Sequence, residues 1–152
     1  MRKNLLWLVI FSLPLAACSG SSPETVAQQY LEAIQAGDRA TAEALFCYPE
    51  GYNMADIHGV RAFTITNTEE SELQGLPLYL IDFDFEQGAG RGFVGAGEIE
   101  VVPKGKKFHE ANSAGFAALG MEPPDVDADE IPAGTCIVRV VQTEDLSIPV
   151  AP

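Results

Sequence analysis

The chain of 152 residues is 47% hydrophobic and carries nine basic against 22 acidic residues, for a formal net charge of −13. This length and apolar content predict one globular domain. The acidic balance excludes a nucleic-acid partner, because affinity for phosphates comes from Lys and Arg, and it offers no polybasic attraction to anionic lipid. Solubility is the preferred explanation of the acidity, and cation binding is the alternative.

The N-terminal segment has the three parts of an export signal. Arg2 and Lys3 form a basic start, an apolar run follows over residues 5–17, and small residues with a cysteine come next. The alternative is a membrane-spanning helix, which needs about 20 apolar residues. Because the run is shorter and contains Pro14, the sequence favours export.

Leu15-Ala16-Ala17-Cys18 closely resembles the lipobox of bacterial lipoproteins. The resemblance implies a diacylglycerol on the Cys18 sulfur, cleavage before this residue and acylation of the new amino terminus. The membrane is then the partner through the lipid, which must supply the attachment alone. Ser19 in place of aspartate implies an outer-membrane lipoprotein facing the periplasm if the host is Gram-negative. An ordinary secreted protein is the alternative.

Two helices are predicted after the tether. Ser22 can cap the first helix, Pro23 suits its first position and Gly37 can end it. Asp38 can cap a second helix that ends before Pro49. Apolar residues at helical spacing define the buried sides, namely Val26, Ala27, Tyr30, Leu31, Ala33 and Ile34 in the first helix and Ala42, Leu45 and Phe46 in the second.

Strands are predicted next, because the apolar period changes to two. Residues 63–68 and 78–85 alternate, and residues 93–102 return after a glycine-rich turn, so the last two segments predict a hairpin. Gly95 and Gly97 share a face with the apolar residues of their strand, which indicates a bend or bulge where another group packs closely.

The C-terminal part is predicted to hold a basic turn at 103–107, a short helix at 113–120, an acidic proline-rich loop and a last strand at 135–142. The expected organisation is α+β. The whole chain is expected to consist of a signal peptide at 1–17, a tether at 18–22, a single domain at 23–145 and a tail at 146–152.

The segment at 22–46, SPETVAQQYLEAIQAGDRATAEALF, resembles the opening helices of bacterial lipoproteins with the nuclear-transport-factor-two-like (cystatin-like) fold. The resemblance implies a helical hairpin packed on a curved antiparallel sheet in a cone-like shape. Such a sheet can enclose a pocket for a small apolar ligand. The candidate lining residues are Tyr30, Phe63, Tyr79, Phe83 and Phe93, with a plain core as the alternative.

Three acidic or glycine-rich patterns are candidate sites. Gly90–Gly95 matches a dinucleotide motif, but a strand rather than a helix is expected after it. Asp125, Asp127 and Asp129 match the start of a calcium loop, although Glu130 replaces the required glycine. We therefore expect no cofactor and no metal. The third pattern is the acidic outer face of the strand at 78–85 and its continuation, formed by Asp82, Asp84 and Glu86, which offers paired carboxylates.

Catalysis by these carboxylates is the minor hypothesis, since outward strand residues are polar by default. His58 and His109 lack metal-type spacing, and no serine lies in a nucleophile elbow. The sequence favours a lipid-anchored envelope protein that acts as a noncatalytic binding or interaction module, with an apolar ligand or an envelope protein as partner. A cone-fold enzyme using the acidic strand residues is the alternative.

Lipidation of Cys18 leaves two cysteines, Cys47 and Cys136. Oxidation is permitted beyond the inner membrane, so we predict a disulfide between them. Two buried free thiols are the alternative, since cysteine is often a small core residue.

Overall fold

The computed structural model describes residues 21–48, 59–88, 93–123, 125, 127, 129 and 133–149. These residues form three helices and four strands in the order α1 (Pro23–Ala36), α2 (Arg39–Ala44), β1 (Val60–Leu73), β2 (Leu76–Gln87), β3 (Phe93–Lys104), α3 (Lys106–Ala118) and β4 (Gly134–Pro149). The strands make one antiparallel sheet in the order β1-β2-β3-β4. The α+β class predicted from the sequence is confirmed.

The predicted signals set the bounds of α1 and α2. The Ser22 hydroxyl accepts a hydrogen bond from the Thr25 amide at 3.3 Å, and the Asp38 carboxylate accepts one from the Thr41 amide at 3.1 Å. Gly37 ends α1 with φ of 72°, a left-handed conformation that costs glycine little. All six predicted apolar positions of α1 are buried.

The sheet has two differently covered faces, because successive strand residues point to opposite sides. On the first, the α1 face, α1 packs on Ile81, Phe83 and Phe85 of β2, Ile99 and Val101 of β3, and Ile137 and Val140 of β4. On the second, the α3 face, Phe108 of α3 joins Val102, Cys47 and Cys136 in a smaller cluster. The core therefore lies mainly between α1 and the sheet.

Glycines on β3 make room for aromatic rings on β2. Phe83 pairs with Gly97 and Phe85 pairs with Gly95. A Cβ atom at Gly97 would lie 2.5 Å from Phe83 Cζ and 2.9 Å from the Val141 carbonyl oxygen, and one at Gly95 would lie 2.7 Å from Phe85 Cε1. The register with β4 also shifts between Ala96 and Gly97. The close packing and bulge expected at these glycines are thus present.

Strand β1 forms one edge of the sheet, and no other described segment pairs with its outer side. Its register against β2 shifts between Val60 and Ala62 and again between Ile65 and Asn67. Residues 66–73 are exposed on both faces. This half of the strand is held by its ladder with β2 rather than by burial.

Two C-terminal elements differ from the sequence prediction. Helix α3 begins at Lys106 rather than at 113, within the expected basic turn. Only Phe108 and His109 of this helix are buried, so it carries too few apolar residues to give a helical period. Strand β4 continues to Pro149, beyond the expected domain end at 145, because backbone pairing with β3 requires no apolar side chains.

The segment that follows α2 is joined to β4 in two ways. The Cys47 amide donates to the Ile137 carbonyl and the Ile137 amide donates to the Leu45 carbonyl, both at 2.9 Å. Next to this short bridge, Cys47 and Cys136 form a disulfide with Cα atoms 5.0 Å apart, within the range that the bond requires. The structure thus places together the two cysteines expected to pair.

Replacing both Cys47 and Cys136 by alanine is expected to lower the free energy of unfolding. The bond closes a loop with a sequence separation of 89, and the chain-entropy model gives about 4 to 5 kcal/mol for such a loop as an upper figure. Urea titration of oxidised wild type and the double variant measures the difference. Nonreducing mass spectrometry after alkylation is the control, and two alkylated thiols in protein from an oxidising compartment would contradict the bond.

Glycine-to-alanine changes at Gly97 and Gly115 are expected to shift stability in opposite directions. At Gly97 the new methyl group meets Phe83 and backbone, so the free energy of unfolding should fall by about 1 to 3 kcal/mol. At Gly115, inside α3, a Cβ would lie 3.5 Å from Gln74 Nε2, and alanine should raise stability by up to about 1 kcal/mol. Thermal and urea unfolding compare the two, and a shift of the same sign would contradict the packing described.

Candidate functional site

The α3 face is only partly covered by α3. At one end Val102, Cys136 and Leu78 lie in the cluster with Phe108. Farther along the strands most side chains are acidic, and apart from the buried Glu100 they are half-buried or exposed. We call this part the acidic face, and define it by Asp82, Asp84 and Glu86 of β2 and Glu98 and Glu100 of β3.

The strand register brings carboxylates of the acidic face together. Asp82 is paired with Glu98 on β3 and with Asn67 on β1, and the Asn67 amide donates to Asp82 Oδ2 at 3.3 Å. Directly opposed residues have Cβ atoms about 4.5 to 5.5 Å apart, and like charges there are destabilising. The Asp82–Glu98 pair therefore works against sheet stability, which is common where a surface serves a function.

Glu98 experiences this repulsion most clearly. Its pKa is raised above the ordinary glutamate value, first by partial burial and then by the charges of Glu100, Asp82 and Glu69, against the lowering effect of Arg139. A carboxyl with a raised pKa beside another carboxylate is a feature of many binding and catalytic sites. Asp82 was predicted as a candidate from its strand pattern, and the register of β2 and β3 adds Glu98.

Glu100 forms an ion pair with its neighbour on β4. Its side chain accepts hydrogen bonds from both Nε and Nη2 of Arg139, the first at 3.0 Å, and only 9% of the residue is exposed. The hydrogen bond and charge of Glu100 raise the pKa of Arg139. Arg139 is hydrogen-bonded to Glu100, and its charge also lowers the pKa of Glu98 against the effect of the acidic neighbours.

Asp84 and Glu86, the other two carboxylates predicted from the strand pattern, lie at the far end of the acidic face. Asp84 and Glu86 are exposed, and Arg61 on β1 lies 3.8 Å from Glu86. An exposed ion pair of this length contributes little to stability. These residues extend the negative surface from the half-buried Asp82–Glu98 pair to the end of β2.

The aromatic residues proposed to line a pocket fall mostly in the core. Tyr30 and Phe83 are buried in the α1-face cluster, and Phe63 and Tyr79 pack against it. The side chain of Phe93 lies outside the described part of the chain. Among the described residues the Tyr30 hydroxyl has no hydrogen-bond partner, and burial raises the pKa of Tyr30 to about 12.

A polar cluster beneath α3 was not anticipated from the sequence. His109 is buried, its Nδ1 lies 3.2 Å from the Tyr48 hydroxyl, and its Nε2 lies 3.4 Å from Ser113 Oγ. The Tyr48 ring stacks on Phe108 with centroids 5.9 Å apart. Ser113 follows His109 by one helical turn, so its long contact ties neighbouring turns of α3 together. In the sequence, His109 and Ser113 are four residues apart, which places them on one side of a helix. This spacing predicts a contact only if the helix is already known to include residue 109.

The other candidate motifs provide no comparable site. Asp129 accepts a hydrogen bond from Lys106 at 2.6 Å, and no three potential metal ligands converge within the described residues. Gly95 lies inside β3, so no helix follows the glycine motif, and residues 90–92 lie outside the described part. Cys18, His58 and Glu130 also lie outside it. None of the described helices is both long and apolar enough to cross a bilayer.

Comparisons of this chain with protein-family models, with curated proteins and with solved structures gave no match.

Replacing Tyr30 by phenylalanine is expected to leave the free energy of unfolding at pH 7 unchanged or higher, because the hydroxyl removed is buried and has no hydrogen-bond partner among the described residues. At alkaline pH the variant should lose less stability than wild type. The pKa of tyrosine is near 10 in the unfolded chain and about 12 for folded Tyr30. The contribution of this group to the stability of the wild type is therefore fully present below pH 10 and is lost as the pH rises from 10 to 12. Urea titrations at both pH values test this. A loss above about 1 kcal/mol at pH 7 would instead show that the hydroxyl bonds to water or a ligand.

Replacing Glu98 by glutamine is expected to stabilise the protein at pH 7 by about 0.5 kcal/mol, since the change removes like-charge repulsion across the strands. The raised pKa means that folded Glu98 binds its proton more tightly than unfolded Glu98. Stability due to this group is therefore present at acid pH and lost as pH rises through its folded pKa. The difference from wild type should shrink on acidification. Glu70→Gln, on the opposite side of β1, is the control, and an equal effect there would contradict the specific repulsion.

Proposed function

We propose that the mature chain is a lipid-anchored cell-envelope protein that acts as a noncatalytic interaction module. The anchor is the lipid on Cys18, and the protein faces the periplasm from the outer membrane if its host is Gram-negative. Two features support the proposal: the lipobox-like residues 15–18 and a domain that begins almost immediately afterwards. Helix α1 starts at Pro23, and the Thr135 hydroxyl already binds the Ser21 carbonyl at 3.0 Å.

The finer fold proposed for this module is a helical hairpin on a curved, cone-like sheet. The Gly37-Asp38 connection between α1 and α2 supports the hairpin, because it lets the chain turn sharply after α1. Register shifts in β1 and along the β3–β4 ladder support curvature, since bulges bend strands and increase their twist. The wide concave side would then be the α1 face.

The acidic face is the observation that carries the interaction role. Asp82 and Glu98 oppose each other at a half-buried position, and Asp84 and Glu86 extend the charge across an uncovered sheet surface. A positively charged segment of an envelope protein would relieve this repulsion on binding, and complementary charge would speed its association. The aromatic set offers weaker support for an apolar ligand, because its described members pack in the core.

An enzyme that uses Asp82 and Glu98 as an acid–base pair is the second candidate. The raised pKa of Glu98 beside Asp82 favours it, because paired carboxyls with different environments can divide the roles of acid and base. The interaction module is preferred because Arg139, which lies opposite Glu100 in the strand register, is hydrogen-bonded to Glu100 rather than directed to a reacting group.

Binding of a fluorescent oligolysine peptide to the full acylated protein in nonionic detergent tests the role of the acidic face. The combined variant Asp82→Asn, Asp84→Asn and Glu98→Gln is expected to weaken binding by about tenfold at low salt, because it removes the complementary charge. The matched control Glu24→Gln, Glu32→Gln and Glu72→Gln removes the same charge from other surfaces and should change binding much less. Equal losses in the two variants would show that only net charge matters and would contradict the proposed surface.

A further inference from the structure

The start of the domain is fixed to one end of the sheet. The Thr135 hydroxyl donates to the Ser21 carbonyl at 3.0 Å, and Thr135 stands at the beginning of β4, paired with Pro103 near the end of β3. Each residue of an extended chain spans at most about 3.6 Å. Whatever its conformation, the chain therefore holds the Cα atom of Cys18 within about 11 Å of that of Ser21.

The same end of the sheet carries three lysines. Lys104 is the last residue of β3 and pairs with Gly134, the neighbour of Thr135. Lys106 and Lys107 follow directly at the start of α3. Without Arg2 and Lys3, the nine basic residues of the chain fall to seven, so three of the seven lie within four positions at this end.

Two of these lysines differ from the described arginines in their ion pairing. The described arginines are all in ion pairs, Arg39 with Glu43, Arg61 with Glu86 and Arg139 with Glu100. Lys106 is likewise paired with Asp129. In the part of the chain that the structure describes, Lys104 and Lys107 have no ion-pair partner, and Lys107 is exposed.

The position of the lysines runs against local helix preferences. Lys106 and Lys107 occupy the first turn of α3, which contains no acidic residue, and Gly105 supplies no side-chain cap. The positive end of the helix dipole favours acidic residues there, so these lysines add positive charge to an already positive terminus. This end of α3 therefore concentrates positive potential in a chain that is otherwise strongly acidic.

We infer that the end of the domain defined by Lys104, Lys106 and Lys107 contacts anionic phospholipid headgroups of the membrane that holds the anchor. The inference rests on the proposed lipidation of Cys18, which brings this end near the bilayer. This inference revises the expectation, drawn from the overall composition, that the protein has no basic attraction to lipid. The net charge of the whole chain does not show that three lysines lie close together. The acidic residues Glu24 in the first turn of α1, Glu110 beyond the first turn of α3 and Asp129, which is paired with Lys106, keep the attraction modest.

Mass spectrometry of lysine acylation tests the contact on the full mature protein reconstituted in vesicles. A water-soluble amine-reactive ester is applied to protein in phosphatidylcholine vesicles and in phosphatidylcholine–phosphatidylglycerol vesicles. Labelling of Lys104 and Lys107 is expected to be slower by about fivefold in the anionic vesicles, with the difference lost at high salt. The mass of the N-terminal peptide reports in the same sample whether Cys18 carries acyl chains.

Variant proteins separate the lysine cluster from general charge. Hydrogen exchange of the first-turn amides of α3 should be slowed by anionic vesicles in wild type and in the control Arg39→Gln, Arg61→Gln. The slowing should be absent in Lys104→Gln, Lys107→Gln. Acylated Cys18 with equal lysine labelling in the two vesicle types, or with equal slowing in both variants, would overturn the inference alone. An unmodified Cys18 would overturn the proposed anchor and this inference with it.

Discussion

The joint between residues 45–47 and the start of β4 is the constraint on which the rest of the fold depends. Two backbone hydrogen bonds and the Cys47–Cys136 disulfide hold the end of the helical part against the sheet. Phe46 is buried in the α1-face core, while Cys47 belongs to the cluster on the α3 face. One short segment thus ties both sides of the sheet, and without it α1 would be held by apolar packing, the Gln35–Arg61 hydrogen bond and the Ser21–Thr135 hydrogen bond.

Two groups of charged residues lie apart along the sheet. The half-buried Asp82–Glu98 pair lies on the uncovered part of the α3 face, whereas Lys104, Lys106 and Lys107 lie where β3 passes into α3. Helix α3 and its cluster separate the two regions along the same face. In the proposed lipid-anchored protein, such an arrangement would orient the domain, since the lysine cluster would be attracted to a negative surface and the acidic face repelled from it.

The elements with strong periodicity could be read from the sequence, and those held by backbone pairing or by few apolar contacts could not. The six apolar positions of α1 and the alternation of Tyr79, Ile81, Phe83 and Phe85 predict their faces directly. The first half of α3 buries only Phe108 and His109, and the last part of β4 depends on its ladder with β3.

The candidate site was also predictable only in part from the sequence. Asp82 was accessible from alternation on one strand, while its opposition to Glu98 required the register of two strands. The lysines at 104–107 were visible as a basic turn, but their significance depended on the Ser21–Thr135 contact between residues far apart in sequence. Local patterns give the face on which a residue lies, and only the tertiary structure gives its neighbours.

The open edge of β1 has a consequence for proteins confined to a membrane plane. The proposed lipid anchor would restrict copies to two dimensions and raise the frequency with which their exposed edges meet. An exposed strand edge is a template for pairing between chains. Glu69, Glu70 and Glu72 lie on this edge strand, and two register shifts interrupt its regular ladder. Two copies that met edge to edge would oppose their glutamates, so the acidic edge keeps crowded neighbours apart on a shared surface.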